Sequence, residues 1–385
     1  MKGGTLLVFG GLLGLVALAC GNTKSAGGHA GTSSAGAGNG GQAGSSGAAG
    51  DAGAKDVWTA ESLRTYWDPA LGMDSLEFGT IGPAHVGDYL YFSSDAEPDG
   101  MGVYRMPKAG GDAVKVGVWD GWSVPVTADA THVYWGFIRG DERSIHKVPL
   151  AGGLPEEVVM PLPSEWPVST FSVQVAESGS RLYIANIDCT AIGAVDKATG
   201  TLLWHAVPPG PADGGNCVGI AATNEYVFCD AGGHIFRYTA DGSELTTLGP
   251  DVTLTDGRSA TFQMLNGASI DDKELFVVDS HSLAGPLQVY AVDIQTLKVR
   301  RVVEEARTSA SCSIAVDRSR GWLYIRGGAA PVGGGTFLFW KDYLSLFGHA
   351  FDVKGAIHSS CDSVASDSDW LYCSGSYDVF RIRKP

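Results

Sequence analysis

One short pattern recurs seven times beyond residue 80: a turn rich in Asp, Ser, Gly or Asn, then an apolar residue leading an aromatic or β-branched strand. The copies are Gly87-Asp88-Tyr89-Leu90-Tyr91-Phe92, Ala130-Thr131-His132-Val133-Tyr134-Trp135, Gly179-Ser180-Arg181-Leu182-Tyr183-Ile184 and Asn224-Glu225-Tyr226-Val227-Phe228. Three more follow: Asp272-Lys273-Glu274-Leu275-Phe276-Val277, Arg320-Gly321-Trp322-Leu323-Tyr324-Ile325 and Ser368-Asp369-Trp370-Leu371-Tyr372. With Leu90, Val133, Leu182, Val227, Leu275, Leu323 and Leu371 as anchors, neighbours lie 43 to 49 residues apart. A regular period of this length means that one structural unit is being repeated.

The unit is built of strands. A short apolar segment such as Val218-Gly219-Ile220-Ala221 or Ser313-Ile314-Ala315-Val316 precedes each anchor, and a second strand follows, as in Val103-Tyr104-Arg105-Met106, Ile235-Phe236-Arg237-Tyr238 and Val379-Phe380-Arg381-Ile382. A turn and a last strand then close most units, as Ala109-Gly110-Gly111-Asp112 does before Val114-Lys115-Val116. Four strands per repeat without helical periodicity predict an all-β, seven-bladed β-propeller with four-stranded antiparallel blades. The seventh repeat reaches Pro385 after its third strand. An unpaired sheet edge is a liability, so a segment between Asp56 and Phe78, either Leu63 to Trp67 or Ser75 to Phe78, is expected to pair with Val379-Phe380-Arg381 and complete the last blade.

The start of the chain predicts export. Met1-Lys2 is followed by an apolar run from Thr5 to Ala19 and then by Cys20, which reads as a signal peptide over residues 1–19. From residue 20 to 54 the chain is dominated by Gly, Ala and Ser and reads as a disordered tether. Residues 55–385 remain for the propeller, expected as a monomer. With a hydrophobic content of 44% and 18% charged residues a large core is possible, and a net charge of −15 disfavours nucleic acid and anionic lipid surfaces. The one basic cluster, Arg381 to Lys384, is expected to be solvated.

Val16-Ala17-Leu18-Ala19-Cys20 resembles the bacterial lipoprotein box, with Ala17 where leucine is commonest. The resemblance implies acylation of Cys20 and a membrane contact through that lipid alone. By resemblance to enteric lipoproteins, Gly21 implies the outer membrane. The tether together with repeats such as Val133-Tyr134-Trp135 and Ile145-His146-Lys147-Val148-Pro149-Leu150-Ala151-Gly152-Gly153 resembles the propeller-like lipoproteins of soil predatory (myxobacterial-type) bacteria, proteins of undefined role.

Six cysteines follow Cys20. Cys217 and Cys229 bracket the first hairpin of the fourth repeat, and Cys361 and Cys373 bracket that of the seventh with the same spacing, so cross-strand disulfides are expected for both pairs in an oxidising compartment. Cys189 and Cys312 are left over, and a Cys189 to Cys217 bond competes with the first pair.

Few residues point to chemistry. Asp95, Glu97 and Asp99 alternate before Gly100, a spacing that can wrap Ca²⁺, but Met106 stands where an EF-hand loop places its closing acid. A solvated loop is the simpler reading, and no cofactor is expected. No nucleophile elbow, P-loop or dinucleotide fingerprint occurs. Trp119, Trp122 and Trp166 lie in connections between repeats and Trp135 just past an anchor, so they form a candidate aromatic patch for a sugar ring or an apolar partner; burial in the core is the alternative.

Two further resemblances are local. Asp196-Lys197-Ala198-Thr199-Gly200-Thr201-Leu202-Leu203-Trp204 resembles the repeat of quinoprotein propellers, in which Asp, Thr-Gly and Trp lock neighbouring blades. His234-Ile235-Phe236-Arg237-Tyr238-Thr239-Ala240-Asp241-Gly242 is similar to the strand and turn of virginiamycin B lyase and gluconolactonase-type propellers, which hold a divalent metal at the channel mouth. The expected function is therefore a non-catalytic binding or protein-interaction module in the cell envelope, with a protein or glycan ligand at the mouth. The alternatives are a metal-dependent lyase or lactonase-type propeller or a quinoprotein-like one, and a scaffold role like that of the propeller lipoprotein in outer-membrane barrel assembly.

Overall fold

The computed structural model describes residues 59–65, 80–94, 102–118, 126–139, 142–150, 158–162, 166, 173–186, 191–209, 219–263, 265–280, 287–305, 314–325, 328–335, 338–339, 363–374 and 378–384. They belong to a compact unit running from Thr59 to Lys384 and are strands and turns without a helix.

Strands are numbered along the chain, beginning with β1 (Thr59–Thr65). Blade one is β2 (Thr80–Val86), β3 (Tyr89–Ser94), β4 (Gly102–Pro107) and β5 (Val114–Gly117). Blade two is β6 (Thr127–Ala128), β7 (His132–Arg139), β8 (Glu142–Pro149) and β9 (Val158–Pro161). Blade three is β10 (Val173–Ser178), β11 (Arg181–Asn186), β12 (Ile192–Asp196) and β13 (Leu202–Ala206). Blade four is β14 (Ile220–Ala222), β15 (Tyr226–Ala231), β16 (His234–Thr239) and β17 (Leu245–Leu248).

A separate hairpin follows, β18 (Asp251–Thr253) and β19 (Ser259–Thr261). Blade five is β20 (Leu265–Ile270), β21 (Glu274–Ser280), β22 (Leu287–Asp293) and β23 (Val299–Glu305). Blade six is β24 (Ile314–Asp317), β25 (Trp322–Ile325), β26 (Gly328–Pro331) and β27 (Leu338–Phe339). Blade seven is β28 (Ser363–Ser366), β29 (Trp370–Ser374) and β30 (Asp378–Arg383), with β1 as its fourth strand. The innermost strands adjoin in order from blade one to blade seven, and β28 returns to β2, so the seven sheets form a ring.

All seven anchors are buried in the second strand of a blade. These strands show burial on successive residues, as in β11 and β15, because each blade is sandwiched between two others and both of its faces are covered. Outer strands such as β13 and β17 are largely exposed, since the blades splay apart at the rim. The hairpin β18–β19 inserts Val252, Leu254, Ala260 and Phe262 into the core between blades four and five.

Closure occurs where the missing edge predicted it. β1 pairs antiparallel with β30, with Glu61 opposite Arg381, Ser62 opposite Phe380 and Arg64 opposite Val379. The pairing strand starts earlier than Leu63 to Trp67; Ser75 to Phe78 lies outside the described residues.

The disulfide expected between Cys217 and Cys229 does not form. In blade four the residue opposite Cys229 is Ile220, three positions from Cys217, and Cys229 carries a buried thiol rather than a disulfide. The two strands meet through a four-residue turn, Thr223 to Tyr226, which moves the hairpin axis away from the midpoint of the two cysteines. Blade seven has the same offset, with Val364 opposite Cys373. Cys373 is disulfide-bonded, to a cysteine outside the described residues. Cys189, Cys217, Cys312 and Cys361 lie outside them as well, as do Cys20 and the tether.

Candidate functional site

Antiparallel meanders give a propeller two unlike ends. The first-to-second and third-to-fourth strand connections meet at one end, here called the turn end. The second-to-third connections and the links between blades meet at the other, the mouth. At the turn end the first connection has two to four residues in every blade. At the mouth the links between consecutive blades run from 8 residues, between β23 and β24, to 23, between β27 and β28.

The turn end is a repeated electrostatic latch. Asp129 Oδ1 accepts hydrogen bonds from the Thr131 N–H (2.7 Å) and the His132 N–H (2.8 Å), which closes the tight turn before Val133. Its Oδ2 accepts from Tyr134 Oη (2.9 Å) and from Lys197 Nζ (2.9 Å), which comes from the turn of the next blade. Asp367 repeats this, with the N–H groups of Asp369 and Trp370 on Oδ1 and Tyr372 Oη and Lys108 Nζ on Oδ2, joining blade seven to blade one. Asp317 binds Lys384 Nζ, joining blade six to blade seven. In all three cases the ammonium also lies over a tyrosine ring, Tyr134, Tyr372 or Tyr324, at 5.0 to 5.8 Å from its centroid. Between blades five and six Arg318 plays the cation, on Asp271 (2.6 Å) and Glu274 (2.8 Å).

These contacts shift the groups involved. Burial raises the Asp129 and Asp367 carboxyls, yet the hydrogen bonds from Lys197 and Thr131, or from Lys108, Asp369 and Trp370, outweigh it and hold both well below the usual carboxylate range. The Tyr372 and Tyr324 phenols are pushed up, first by burial and then by the adjoining carboxylates.

A second latch uses the third strand. Lys147, Arg237 and Arg381 stand opposite Tyr134, Phe228 and Tyr372 and donate to carbonyls of the next blade's turn: Lys197 O, Ile294 O and Lys108 O, all at 2.8 to 2.9 Å. Arg381, expected to be solvated, is thereby engaged, and it also binds Glu61 of β1 (2.6 Å). Lys384 is buried, held by Asp317 and by Ser366 Oγ (2.7 Å). Two cations of the basic C-terminal cluster thus bridge seams, Arg381 to the Lys108 carbonyl of blade one and Lys384 to Asp317 of blade six.

The quinoprotein-like stretch proves to be an inter-blade lock. Asp196 Oδ1 closes its turn through Ala198, Thr199 and the Thr199 hydroxyl, and Gly200 takes a left-handed φ of +70°. Trp204 packs on Gly242 of the next blade, where a Cβ would come within 2.4 Å of the indole, and its Nε1 donates to Ala240 O (3.0 Å).

Two members of the candidate tryptophan patch, Trp135 and Trp166, are core residues rather than exposed ones. Trp135 and Trp166 are each 1% exposed. Trp135 Nε1 donates to Val118 O (2.9 Å), and Trp166 Nε1 donates to buried Asn186 Oδ1 (2.8 Å). Trp166 lies over Gly193, where any side chain would strike it, so the glycine provides its seat in the core. Trp119 and Trp122 lie outside the described residues, and so do Asp95, Glu97 and Asp99. Among the described residues no group of three or more His, Cys, Asp or Glu side chains is placed to hold a metal ion.

Two other arrangements resemble sites. Ser144 Oγ lies 2.8 Å from His146 Nε2, but both are buried, with the imidazole against Trp135 and Phe137, so the pair fills the core. A shallow depression of about 410 Å³ at the turn end is lined by Arg181, Glu225, Asp241, Ser243 and Glu244, among others. Two of its carboxylates are engaged locally: Asp241 accepts from Thr239 Oγ1 and Ser243 Oγ (both 2.7 Å), and Glu225 from Gln295 Nε2 (2.7 Å). The Asp241 carboxyl is lowered to about 2 by those hydroxyls.

The latch aspartates went unseen in the sequence, although Asp129, Asp271 and Asp367 each stand four residues before an anchor. No protein-family model matches the chain, and no curated protein matches it in sequence. Solved structures do. The WD40 domain of Neurospora crassa Pan2 is similar with a TM-score of 0.54 at 9% identity, over 85% of this chain and 95% of that one. The WD40 domain of Toxoplasma gondii coronin is similar at 0.50 and 11% identity, over 85% and 86%. An oligogalacturonate lyase in complex with manganese is similar at 0.50 and 12% identity, over 86% and 97%. At such identities the likeness is one of fold, and the fold is that of a seven-bladed β-propeller.

Proposed function

We propose that the chain is an extracytoplasmic, lipid-anchored propeller, monomeric, that binds a protein or glycan ligand at its mouth without transforming it. The contrast between the two ends carries this reading. Charged side chains at the turn end are engaged in turns and blade seams that repeat around the ring, as at Asp129, Asp317 and Asp367. The mouth connections differ in length from blade to blade. Binding residues concentrate on variable loops held by a rigid scaffold. Cys20 as the acylated residue and an outer-membrane location belong to the same proposal, on the apolar run before it and on Gly21.

The test has two arms. Intact mass of the mature chain from membranes should show an acylated Cys20, and Cys20→Ala should release the protein. The propeller should then be screened on glycan and envelope-protein arrays beside two variants: one with the 340–362 connection replaced by a short Gly-Ser linker, the other with Asp241→Asn and Glu244→Gln. Binding lost only in the first variant supports the reading. Binding unaffected by the first variant, or conversion of an arrayed glycan with or without Mn²⁺, overturns it.

A further inference from the structure

The seam between blades three and four lacks the latch of the seam before it. The position held by Lys108, Lys197 and Lys384, whose N–H donates to a turn carbonyl of its own blade, is Ala240 here. The third-strand position held by Lys147 and Arg381 is Ala194, opposite Tyr183. The residue four before the anchor, Asp129 and Asp367 elsewhere, is Ser178, which donates to Asn224 Oδ1 (3.0 Å). Small uncharged side chains thus stand at all three latch positions, and the depression of about 410 Å³ opens at this seam.

Two charges of opposite sign line that opening without meeting. Arg181, from blade three, is half-buried, and Glu244, from the outer turn of blade four, is exposed. Among the described residues neither side chain has a hydrogen bond or an ion pair. Glu225 and Asp241 add two further carboxylates, held by Gln295 and by Thr239 and Ser243. The lining therefore sets three carboxylates against one guanidinium, on a protein of net charge −15. A ligand that satisfies it brings an anion to Arg181, a cation to Glu244 and a net positive charge.

We propose that this depression binds a basic α-amino acid, free or as the last residue of a peptide, with its carboxylate on Arg181 and its side-chain cation on Glu244. The planar fork of a guanidinium matches a carboxylate, and a primary ammonium suits an exposed carboxylate as a point charge. The site is separate from the mouth and does not depend on the ligand there. Because the opening is shallow, each charge contact is solvated and contributes little, so saturation by a single amino acid is expected at about 1–10 mM.

Saturation-transfer NMR of the full chain tests this with four probes: L-lysine, its methyl ester, Nα-acetyl-L-lysine and L-norleucine. The ester lacks the carboxylate and norleucine the side-chain ammonium, and both should bind at least about fivefold more weakly than lysine. Nα-acetyl-L-lysine, which mimics the end of a peptide, should bind like lysine or more tightly if peptides are the source, and more weakly if the free amino acid is. Arg181→Gln should bring lysine down to the level of its ester, and Glu244→Gln should bring it down to the level of norleucine. Neither residue has a partner to lose, so both variants should keep the wild-type urea midpoint. Asp256→Asn, which removes one carboxylate from the β18–β19 hairpin, should bind lysine as the wild type does. Absence of saturation below about 50 mM, equal binding of lysine and its ester by the wild type, or wild-type binding by Arg181→Gln would overturn the proposal.

Discussion

Asp367→Asn removes one charge from the seam that joins the last blade to the first and leaves its shape. Asn can keep the turn, because its Oδ1 can still accept from Asp369 and Trp370, which lie 3.0 and 2.9 Å from Asp367 Oδ1. At the other position an amide group now faces the Lys108 ammonium and the Tyr372 hydroxyl, donors at 2.8 and 2.9 Å in the native protein. Hydrogen bonds to charged groups contribute about 1.5–3 kcal/mol, and breaking one half of a fully buried pair costs about 3–5 kcal/mol. The Lys108 and Asp367 side chains are 18% and 19% exposed, which favours the lower end, about 2 kcal/mol.

Urea unfolding of the single variants and of Lys108→Met/Asp367→Asn should give a coupling of about 1–2 kcal/mol. Asp256→Asn serves as the control: its partner Arg258 is 60% exposed, and the midpoint should stay in place. Because the folded carboxyl sits below the unfolded value of about 3.9, the stability from Asp367 is fully present above that value and is lost as pH falls through the folded one. The gap between wild type and Asp367→Asn should be constant from neutral pH to about pH 5 and shrink below about pH 4. A coupling under about 0.3 kcal/mol, or a gap that widens in acid, would refute the latch.

Other outcomes follow from single positions. Trp166→Ala should destabilise by about 3–5 kcal/mol in urea, as expected for a buried tryptophan, and Trp166→Phe by less. Gly242→Ala forces a Cβ into Trp204 at a φ of +74° and should cost at least about 2 kcal/mol, shown by a lower midpoint and a shifted indole emission. Alkylation of the denatured, unreduced chain followed by peptide mapping should label Cys229 and leave Cys373 unlabelled; an unlabelled Cys229 would contradict the buried thiol assigned to it.

The ring was legible because burial on both faces writes itself as an apolar run. Leu182-Tyr183-Ile184 and Leu275-Phe276-Val277 recur at a fixed period since the same stacking recurs. The closing strand was legible as a shortage, an edge at Val379-Phe380-Arg381 without a partner, although its bounds were not, because residues 59–65 lack an apolar signature of their own. The seams were hidden. Lys197 and Asp129 are distant in sequence, and only the stacking of consecutive turns brings them together. Trp166 looked available because it lies in a link between blades, while the fact that buries it is the missing side chain at Gly193. The Cys217–Cys229 pair failed because the hairpin sets Ile220, three positions on from Cys217, opposite Cys229.

Ring closure and the Glu61–Arg381 ion pair both stand on residues 59–65 being the outer strand of the seventh blade. Replacing them by a Gly-Ser run of equal length and following amide hydrogen exchange tests this directly. The account predicts that protection of residues 378–383 collapses and that the exposed β30 edge drives self-association in size-exclusion chromatography. Unchanged protection at 378–383 in a monomeric protein would contradict it.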